Sequence, residues 1–547
     1  MIRLLSLLSL FLLSCATNSP SQRTISSQAD KVLPAPNTRR EMVLSFVEEI
    51  NRLDGEGLIP RKNRPETWEQ TTKKLAQEAF VAQDLFTLGR VFRKLDATYP
   101  NLHAKVALLP ELDINETQGI VNLPFEFAPE VVSKNQKKFK YRITQSSLDG
   151  VRRGDQLLAI NSVPLNKWSQ QNFIYCKYPL REQCELVLFQ NFKNEILDWD
   201  RKQPIHLLLK RDNKEFSFES PIEIVKKTNF YDSFDFMNPP CGVRLERYMD
   251  WHLVFQGYNL CAFEHPSKSN TVLIRIRNFV YNGYGGRPKP PIDISGDVEN
   301  FWNNYWKENA PQTKTLIIDV IDNPGGDILV DYYGIFFKAP FQEQYTQFKK
   351  IREFERKDIL ESIYWGEKAK DLWLDNIKNN GVFAATKEGD FLPHIPQFCA
   401  DQKKDCREGL FPIRNNGFEG KVKLLFNHDC VSSCVGFVFN MIDVLKDRVT
   451  TYGMPDSADS AYARLTLGLN IADGENIETL VLSLKTFKEK KPDSPWVREA
   501  VSVSRSTDSK GKILSGIPMR VDHWISRSWT QTSDEWAKQV LDKAIED

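Results

Sequence analysis

Lys421-Val-Lys-Leu-Leu-Phe-Asn-His-Asp-Cys-Val-Ser-Ser-Cys434 is the stretch of sequence that decides the fold. It begins as an apolar strand, enters a tight polar turn and continues into the apolar helical run Val435 to Leu445. Upstream, a helix is predicted over Asp297 to Lys307 and an apolar strand over Thr315 to Ile321. Strands and helices in alternation favour a mostly parallel α/β core.

Ser432 and Ser433 lie at the junction of this strand and helix. A serine hydroxyl is a weak nucleophile at neutral pH, so a serine hydrolase needs an exposed serine, a base and backbone N–H donors for an oxyanion. A strand-to-helix turn exposes its side chain, and the helix N-terminus behind it favours developing negative charge. The alternative is that Ser432 is only a helix N-cap.

A second turn, Asp322-Asn-Pro-Gly-Gly326, ends the preceding core strand. Paired glycines allow backbone amides to face a cavity, so this turn can supply oxyanion donors. The alternative is a plain strand-ending turn.

Taken together, the two turns resemble the signatures of the C-terminal processing peptidases. Asp319 to Gly326 is similar to D-x-x-x-N-P-G-G, and Leu425 to Val435 is similar to L-V-N-x-x-x-A-S-A-S-E. The resemblance implies an α/β, crotonase-like (ClpP-like) peptidase core with Ser432 as nucleophile. It also implies that the amide of Ser433, with that of Gly325 or Gly326, forms the oxyanion hole.

The general base departs from this pattern. The processing peptidases use a lysine from a later turn, which here reads Gly453-Met-Pro-Asp-Ser-Ala-Asp-Ser460, with Asp459 in the lysine's place. The tricorn-like branch uses a histidine that follows an N-terminal helical section, and Leu95 to His103 resembles that segment. The resemblance therefore implies His103 as the general base. His428, four residues before Ser432, is the competitor, and we expect it to line the site instead.

A third group should orient the histidine, and in tricorn-like enzymes it is a glutamate late in the core. Glu499 is the nearest acid on an apolar, strand-like stretch and is the predicted third member. Glu489 and Asp508 are the alternatives.

The chain divides into five predicted sections: 1–15 signal peptide, 16–39 flexible tether, 40–110 small helical domain, 111–228 β domain, and 229–547 peptidase core with an insertion at about 345–420. In the β domain, Gly154-Asp-Gln-Leu-Leu-Ala-Ile-Asn161 resembles the turn and strand of PDZ domains. PDZ domains bind extended peptides by adding them to a sheet edge, which implies a substrate-presenting module. The alternative is an ordinary β-hairpin.

The N-terminus predicts export. One early positive charge precedes an apolar run from Leu4 to Leu13, which is typical of a signal peptide. Leu12-Leu13-Ser14-Cys15 resembles a bacterial lipobox, which implies cleavage before Cys15 and acylation of its thiol. We expect a lipid-anchored protein on the periplasmic side of the cell envelope, at the outer membrane because Ala16 is not an aspartate. The alternative is a buried apolar helix.

Composition limits the partners further. Seventy-three basic and seventy-two acidic residues give a net charge of +1, and no basic block indicates nucleic-acid binding. Besides Cys15, eight cysteines form close couples that fit an oxidising compartment, although eight cysteines allow 105 connectivities. The couples are Cys176 with Cys184, Cys241 with Cys261, Cys399 with Cys406, and Cys430 with Cys434. Metal ligation is the rival interpretation, but no CxxC pair occurs.

The sequence thus predicts a membrane-tethered serine endopeptidase of the Ser-His-acid type that needs no metal or other cofactor. It would cleave extended or unfolded polypeptide through an acyl-enzyme on Ser432. The alternative is a catalytically inactive peptide- or ligand-binding envelope lipoprotein on the same fold. A structural lipoprotein unrelated to peptidases would require both ordered signatures to occur by chance. The oligomeric state is not indicated.

Overall fold

A computed structural model describes residues 32–55, 67–99, 101–201, 204–226, 241, 245–279, 294–326, 336, 345–356, 358–359, 381–393, 395–396, 418–459, 464–472, 475–483, 495–508 and 510–547. The predicted signal peptide with Cys15, most of the tether, Cys399, Cys406 and Glu489 lie outside these residues. None of the described helices is both long and apolar enough to cross a membrane.

The helices are numbered in chain order: α1 Pro36–Leu53, α2 Trp68–Phe80, α3 Leu85–Thr98, α4 Ile114–Gln118, α5 Leu165–Asn172, α6 Arg181–Leu186, α7 Leu188–Asn191, α8 Asp198–Asp200, α9 Ile294–Phe301, α10 Lys307–Asn309, α11 Val382–Ala385, α12 Ser433–Leu445 and α13 Ser533–Glu546. Short 3₁₀ segments occur at Pro110–Leu112, Phe173–Tyr175, Glu246–Tyr248, Ala310–Gln312, Arg352–Glu355 and Lys446–Arg448, and π-helical segments at Phe192–Leu197 and Trp302–Trp306.

The strands are β1 Val106–Leu108, β2 Ile120–Asn122, β3 Phe125–Pro129, β4 Val131–Val132, β5 Tyr141–Ser146, β6 Gln156–Ile160, β7 Val163–Pro164, β8 Ile205–Arg211, β9 Lys214–Ser220, β10 Glu223–Val225, β11 His252–Gln256, β12 Leu260–Glu264, β13 Thr271–Ile276, β14 Thr315–Asp319, β15 Tyr345–Phe348, β16 Ile395–Pro396, β17 Lys421–Phe426, β18 Val449–Gly453, β19 Arg464–Ala472, β20 Asn476–Leu482, β21 Val497–Ser502, β22 Ser504–Thr507, β23 His523–Trp524 and β24 Arg527–Ser528.

The central sheet has the strand order β11-β12-β13-β14-β17-β18-β23. The strands from β13 to β23 are parallel, while β11 and β12 are antiparallel at one edge. On β14, Leu316 and Ile318 belong to one core cluster together with Phe437 of α12, while Ile317 belongs to another together with Leu541 of α13. Strands covered on both faces need continuous apolar runs, as this sequence has. The predicted α/β core is confirmed, while its crotonase-like assignment stays a prediction.

A second, antiparallel sheet has the order β3-β5-β6-β8-β9, with β7 paired to β6. The turns at Gly150 and Gly154 have φ values of 91° and 94°, which glycine adopts without strain. The strand predicted over Gln156 to Ile160 is β6. This sheet shares a core cluster with α13, so it packs against the central sheet. Its PDZ-like assignment stays a prediction.

The N-terminal helices cover a third sheet rather than forming a separate core. The sheet has the order β1-β21-β19-β20, and Phe46 of α1 and Phe92 of α3 share one cluster with Leu467 and Val497 of its strands. Phe348, from the segment predicted as an insertion, belongs to the same cluster. The early chain and the late chain are therefore joined in one packed unit. The predicted domain boundaries stay predictions, although α1 begins within the predicted tether.

Three of the predicted cysteine couples are disulfides in the structure, namely Cys176–Cys184, Cys241–Cys261 and Cys430–Cys434. The fourth couple lies outside the described residues. Close sequence spacing was therefore a sufficient guide for the couples that the structure describes.

Asp319, at the end of β14, is the centre of a fully buried ionic cluster. Its carboxylate accepts hydrogen bonds from Arg275 Nη1 at 3.0 Å and Arg247 Nη1 at 3.2 Å, and from the hydroxyl of Tyr248. Burial disfavours the carboxylate, but the charges of Arg247 and Arg275 outweigh this effect, so the pKa of Asp319 is lowered. The first residue of the signature Asp319 to Gly326 thus anchors the strand that carries it.

We predict that Asp319→Asn lowers the free energy of unfolding by about 3–5 kcal/mol, because it removes the buried carboxylate shared by the guanidinium groups of Arg275 and Arg247, although Arg247 keeps its ion pair with Asp534 at 2.8 Å. Urea denaturation measures this loss. Because the folded pKa of Asp319 is depressed, its contribution is complete above the ordinary aspartate pKa of about 3.9 and is lost as the pH falls through the folded value. The difference in the free energy of unfolding between the variant and the parent should therefore become smaller in acid.

The matched control is Asp250→Asn. The Asp250 carboxylate lies 3.5 Å from Lys538 Nζ, but its side chain is 80% exposed, so the change should stay within about 0.5 kcal/mol. Equal effects of the two substitutions would contradict an anchoring role for Asp319.

Candidate active site

The two signature turns meet at the carboxyl ends of the neighbouring parallel strands β14 and β17. The side chain of Asn427 joins them, because its Oδ1 accepts from the Asp322 amide at 2.9 Å and its Nδ2 donates to Asp322 Oδ1 at 2.8 Å. The Ser433 hydroxyl donates to the Gly326 carbonyl at 3.0 Å. These bonds hold the glycine pair against the serine turn.

Ser432 occupies a strained backbone position immediately before α12. Its φ of 61° and ψ of −121° are unfavourable for any residue with a Cβ, and a sharp strand-to-helix turn of this kind exposes the nucleophilic serine of the α/β-hydrolases. Its hydroxyl makes no capping hydrogen bond, so the N-cap interpretation is not supported. A Cβ added at Gly325 would lie 2.9 Å from the Cβ of Ser432 and 2.3 Å from the Val431 carbonyl oxygen. Only glycine therefore fits beside this turn.

The oxyanion donors predicted from the sequence need one correction. The amide of Gly325 donates to Asn323 Oδ1 at 2.9 Å, so it is already engaged. Ser433 is the first residue of α12, where a backbone N–H has no carbonyl partner within the helix. The amides of Ser433 and Gly326 are the remaining candidates, on the two sides of the turn. A run of paired glycines could not indicate which amide a neighbouring side chain would capture.

His103 is held by Asp459. Its Nδ1 lies 2.5 Å from Asp459 Oδ1, and its backbone N–H donates to Asp459 Oδ2 at 3.0 Å and to Asn101 Oδ1 at 2.8 Å. A carboxylate can only accept hydrogen bonds, so Nδ1 carries the proton and Nε2 presents its lone pair. The imidazole is therefore oriented as a base.

Asp459 also contacts the predicted nucleophile. Its backbone carbonyl accepts from the Ser432 amide at 2.7 Å, so one residue binds the histidine through its side chain and the serine through its main chain. The sequence placed Asp459 where the processing peptidases carry a lysine, but it did not indicate this role. The available signal was the replacement itself, an acid at the position of a base.

The loop that carries Asp459 is fixed by the sections around it. Gln183 of α6 donates to the carbonyls of Pro455 and Asp456, at 3.1 Å and 2.5 Å, and the amide of Gly516 donates to the Ala458 carbonyl at 2.8 Å. Burial raises the pKa of Asp456 to about 7. Hydrogen bonds from α6 and from the C-terminal segment therefore both hold this loop in place.

The hydrogen bonds of His103 join it to Asn101 and Asp459 and not to Glu499, which corrects the predicted third member. It lies on β21 opposite Val106 of β1, fully buried. Burial and the nearby charge of Asp96 raise the pKa of its carboxyl well above the ordinary value. Lys177 Nζ, which bonds Asp96 at 2.6 Å, also donates to the Ala104 carbonyl at 3.0 Å. This buried cluster supports the backbone next to the histidine. Asp508, the other alternative, bonds amides of its own turn.

His428 lies at the same turn as Ser432 and is buried. Its ring packs edge-on against Tyr178, with ring centroids 5.7 Å apart, and its Nε2 lies 3.7 Å from Asp429 Oδ1. Burial, together with the charges of Asp429 and Asp459, raises the pKa of Tyr178. Among the described residues, no side chain or backbone group bonds His428 Nδ1, whereas Asp459 bonds the Nδ1 of His103. That His428 lines the site stays a prediction.

The arrangement has the three parts that acyl transfer requires: a serine on a strained turn, a histidine oriented by an aspartate, and backbone amides at a helix N-terminus. Within the described residues, no group of His, Cys, Asp and Glu side chains is placed to hold a metal ion.

No family model matches the chain, and no curated protein sequence matches it. Among solved structures, mature CPAF complexed with lactacystin matches with a TM-score of 0.58 and 11% identity, over 94% of this chain and 100% of the other. Mature CPAF matches with a TM-score of 0.58 and 12% identity, over 93% and 96%. The photosystem II D1 C-terminal processing protease matches at a TM-score of only 0.33 with 10% identity, over 92% and 97%. The chain therefore shares the fold of mature CPAF.

Proposed function

We propose that the protein is a serine endopeptidase of the Ser-His-Asp type that cleaves extended or unfolded polypeptide. The observation that carries the proposal is the double contact of Asp459, with His103 through its carboxylate and with Ser432 through its carbonyl. The similarity to CPAF supports the proposal through the fold.

In the proposed reaction, Ser432 Oγ attacks the scissile carbonyl carbon while His103 Nε2 accepts the hydroxyl proton. The amides of Ser433 and Gly326 stabilise the oxyanion that forms. The C–N bond then breaks, and the imidazolium returns the proton to the leaving amine, which leaves an acyl-enzyme. Water, activated by the same histidine, hydrolyses the ester. The Asp459 carboxylate keeps the imidazole in the correct tautomer and stabilises its positive charge.

Substrate reaches this site from the second sheet in our proposal. β3 is an edge strand, and a cavity of about 570 Å³ lies beside it, bounded by α6, α7 and the segment 527–532. Its walls include Phe127, Leu186 and Phe189, and Arg527 lies within reach of the charge of Asp429 near the serine turn. An extended peptide could add to the edge of β3, as the resemblance to PDZ domains implies.

The cellular setting follows from the N-terminal sequence. We propose export to the bacterial cell envelope and attachment to the membrane through a lipid on Cys15. The three disulfides support an oxidising compartment. No metal or organic cofactor takes part in the proposed reaction.

Ser432→Ala and His103→Ala should each lower kcat for an unfolded polypeptide by about 10⁴-fold or more, because either change removes the unit that forms the acyl-enzyme. Release of peptide fragments measures the rate, and a serine-reactive phosphonate should label the parent protein at Ser432 but not the alanine variant. His206→Ala, which removes a half-exposed surface histidine, is the control and should cleave normally. Undiminished cleavage by either active-site variant would reject the proposal, and a parent protein without labelling or cleavage would favour a non-catalytic binding protein.

The third member of the triad can be tested separately. Asp459→Asn should lower kcat by about 10³- to 10⁴-fold, since an amide favours the wrong histidine tautomer, while the carbonyl contact with Ser432 survives. Glu499→Gln should leave kcat nearly unchanged, because Asp459 rather than Glu499 binds His103 Nδ1 and glutamine keeps the size of the buried side chain. The reverse order of effects would restore Glu499 as the orienting acid.

The groove beside β3 gives a prediction about substrate length. Gln190→Trp places an indole on the exposed wall that α7 contributes to the cavity, so KM for an unfolded polypeptide should rise about tenfold, which corresponds to about 1.4 kcal/mol. Cleavage of a short peptide ester that does not reach the groove should be unaffected. Gln171→Trp, at an exposed position of α5, is the matched control. An equal rise in KM for both substrates would place the binding path elsewhere.

A further inference from the structure

The disulfide Cys430–Cys434 encloses the proposed nucleophile. The two cysteines are four residues apart, their Cα atoms are 5.2 Å apart, and Ser432 is the middle residue of the loop they close. Both side chains are fully buried. Cys430 lies in the turn after β17, and Cys434 is in the first turn of α12, so the bond joins the two ends of the strand-to-helix turn.

The closed loop has little freedom to relax. The Cys430 amide donates to the Asn427 carbonyl at 3.0 Å, and the Cys434 amide donates to the Val431 carbonyl at 3.1 Å. The Cys430 carbonyl accepts from the Ser457 amide at 3.1 Å, which ties the turn to the loop that carries Asp459. Ser432 remains in its unfavourable conformation only because such contacts hold it there.

A bond over so short a loop adds less to global stability than a bond over a long one. In the chain-entropy description, a disulfide stabilises a protein by restricting the unfolded chain, and the effect grows with loop length. Cys430–Cys434 spans four residues, whereas Cys241–Cys261 spans twenty and is equally buried. The short disulfide therefore contributes less through the unfolded chain, and its distinctive effect is on the geometry of the turn that carries Ser432.

We infer that the Cys430–Cys434 disulfide is a covalent clamp that positions Ser432 for attack. It keeps the serine at its positive φ immediately before α12, where the serine hydroxyl makes no capping hydrogen bond. This inference rests on the proposed function, since it assigns the clamp to the nucleophile of that reaction. The two cysteines are positioning residues and do not contact the substrate.

The clamp also makes the active conformation depend on oxidation. Forming the bond removes two protons and two electrons from the two thiols, and a disulfide of another protein, reduced to two thiols, would accept them. A newly made chain with reduced cysteines would fold without the clamp. Full activity would then follow arrival in an oxidising compartment, which the predicted export provides.

The test compares two double variants of the full chain, Cys430→Ala/Cys434→Ala and Cys241→Ala/Cys261→Ala. The first should lower kcat and the rate of phosphonate labelling at Ser432 about ten- to hundredfold, with little change in KM. The reason is that the strain held in one backbone residue corresponds to a change in rate of about this size. The second should lose more thermal stability and yet keep parental kcat below its unfolding temperature. Stability and activity should thus respond in opposite order.

A complementary measurement covers the case in which the first variant fails to fold. Parent protein treated with a phosphine reductant at low temperature and then alkylated should lose activity in proportion to modification of Cys430 and Cys434, as mass spectrometry quantifies it. Parental kcat in the folded double variant, or full activity with both cysteines alkylated, would overturn the clamp alone. A parent protein that neither cleaves nor is labelled at Ser432 would overturn the proposed function and the clamp with it.

Discussion

The candidate site depends on the contact between Asp459 and His103. A lysine at this position, as in the processing peptidases that the sequence resembles, would itself be a base. An aspartate offers only an acceptor and a negative charge, so the base must come from another part of the chain. Asp459 acts on both groups, because its carboxylate orients the imidazole of His103 and its carbonyl oxygen accepts a hydrogen bond from the amide of Ser432. Asp459 therefore sets the positions of both the proposed nucleophile and the proposed base.

Two different sheets deliver these groups. The parallel pair β14 and β17 places the glycine turn and the serine turn at one edge, and the buried charges around Asp319 fix β14 from below. The antiparallel pair β1 and β21 places His103 beside the late chain. The site thus lies between the central sheet, which contains β14 and β17, and the third sheet, in which β1 from the early chain pairs with β21 from the late chain.

The sequence predicted the parts of the site that local patterns encode. The strand, turn and helix around Ser432 follow from a change of periodicity, and β6 and β17 have the bounds expected from their apolar runs. Asp459 was missed because its role arises from a tertiary contact that spacing does not reveal. Glu499 was chosen for its apolar surroundings, but it is buried on β21 opposite Val106, and the carboxylate that binds His103 Nδ1 belongs to Asp459. Gly325 failed as a donor for a similar reason, since a neighbouring side chain bonds its amide.

The distance along the chain between His103 and Asp459 has a consequence for biosynthesis. The two residues are 356 positions apart, and β1 can pair only after β21 has been made. The histidine leaves the ribosome long before its partner is made. A chain synthesised only in part would therefore hold a histidine without the acid that orients it. The fold itself thus keeps the proposed catalytic groups apart until β21 has been synthesised.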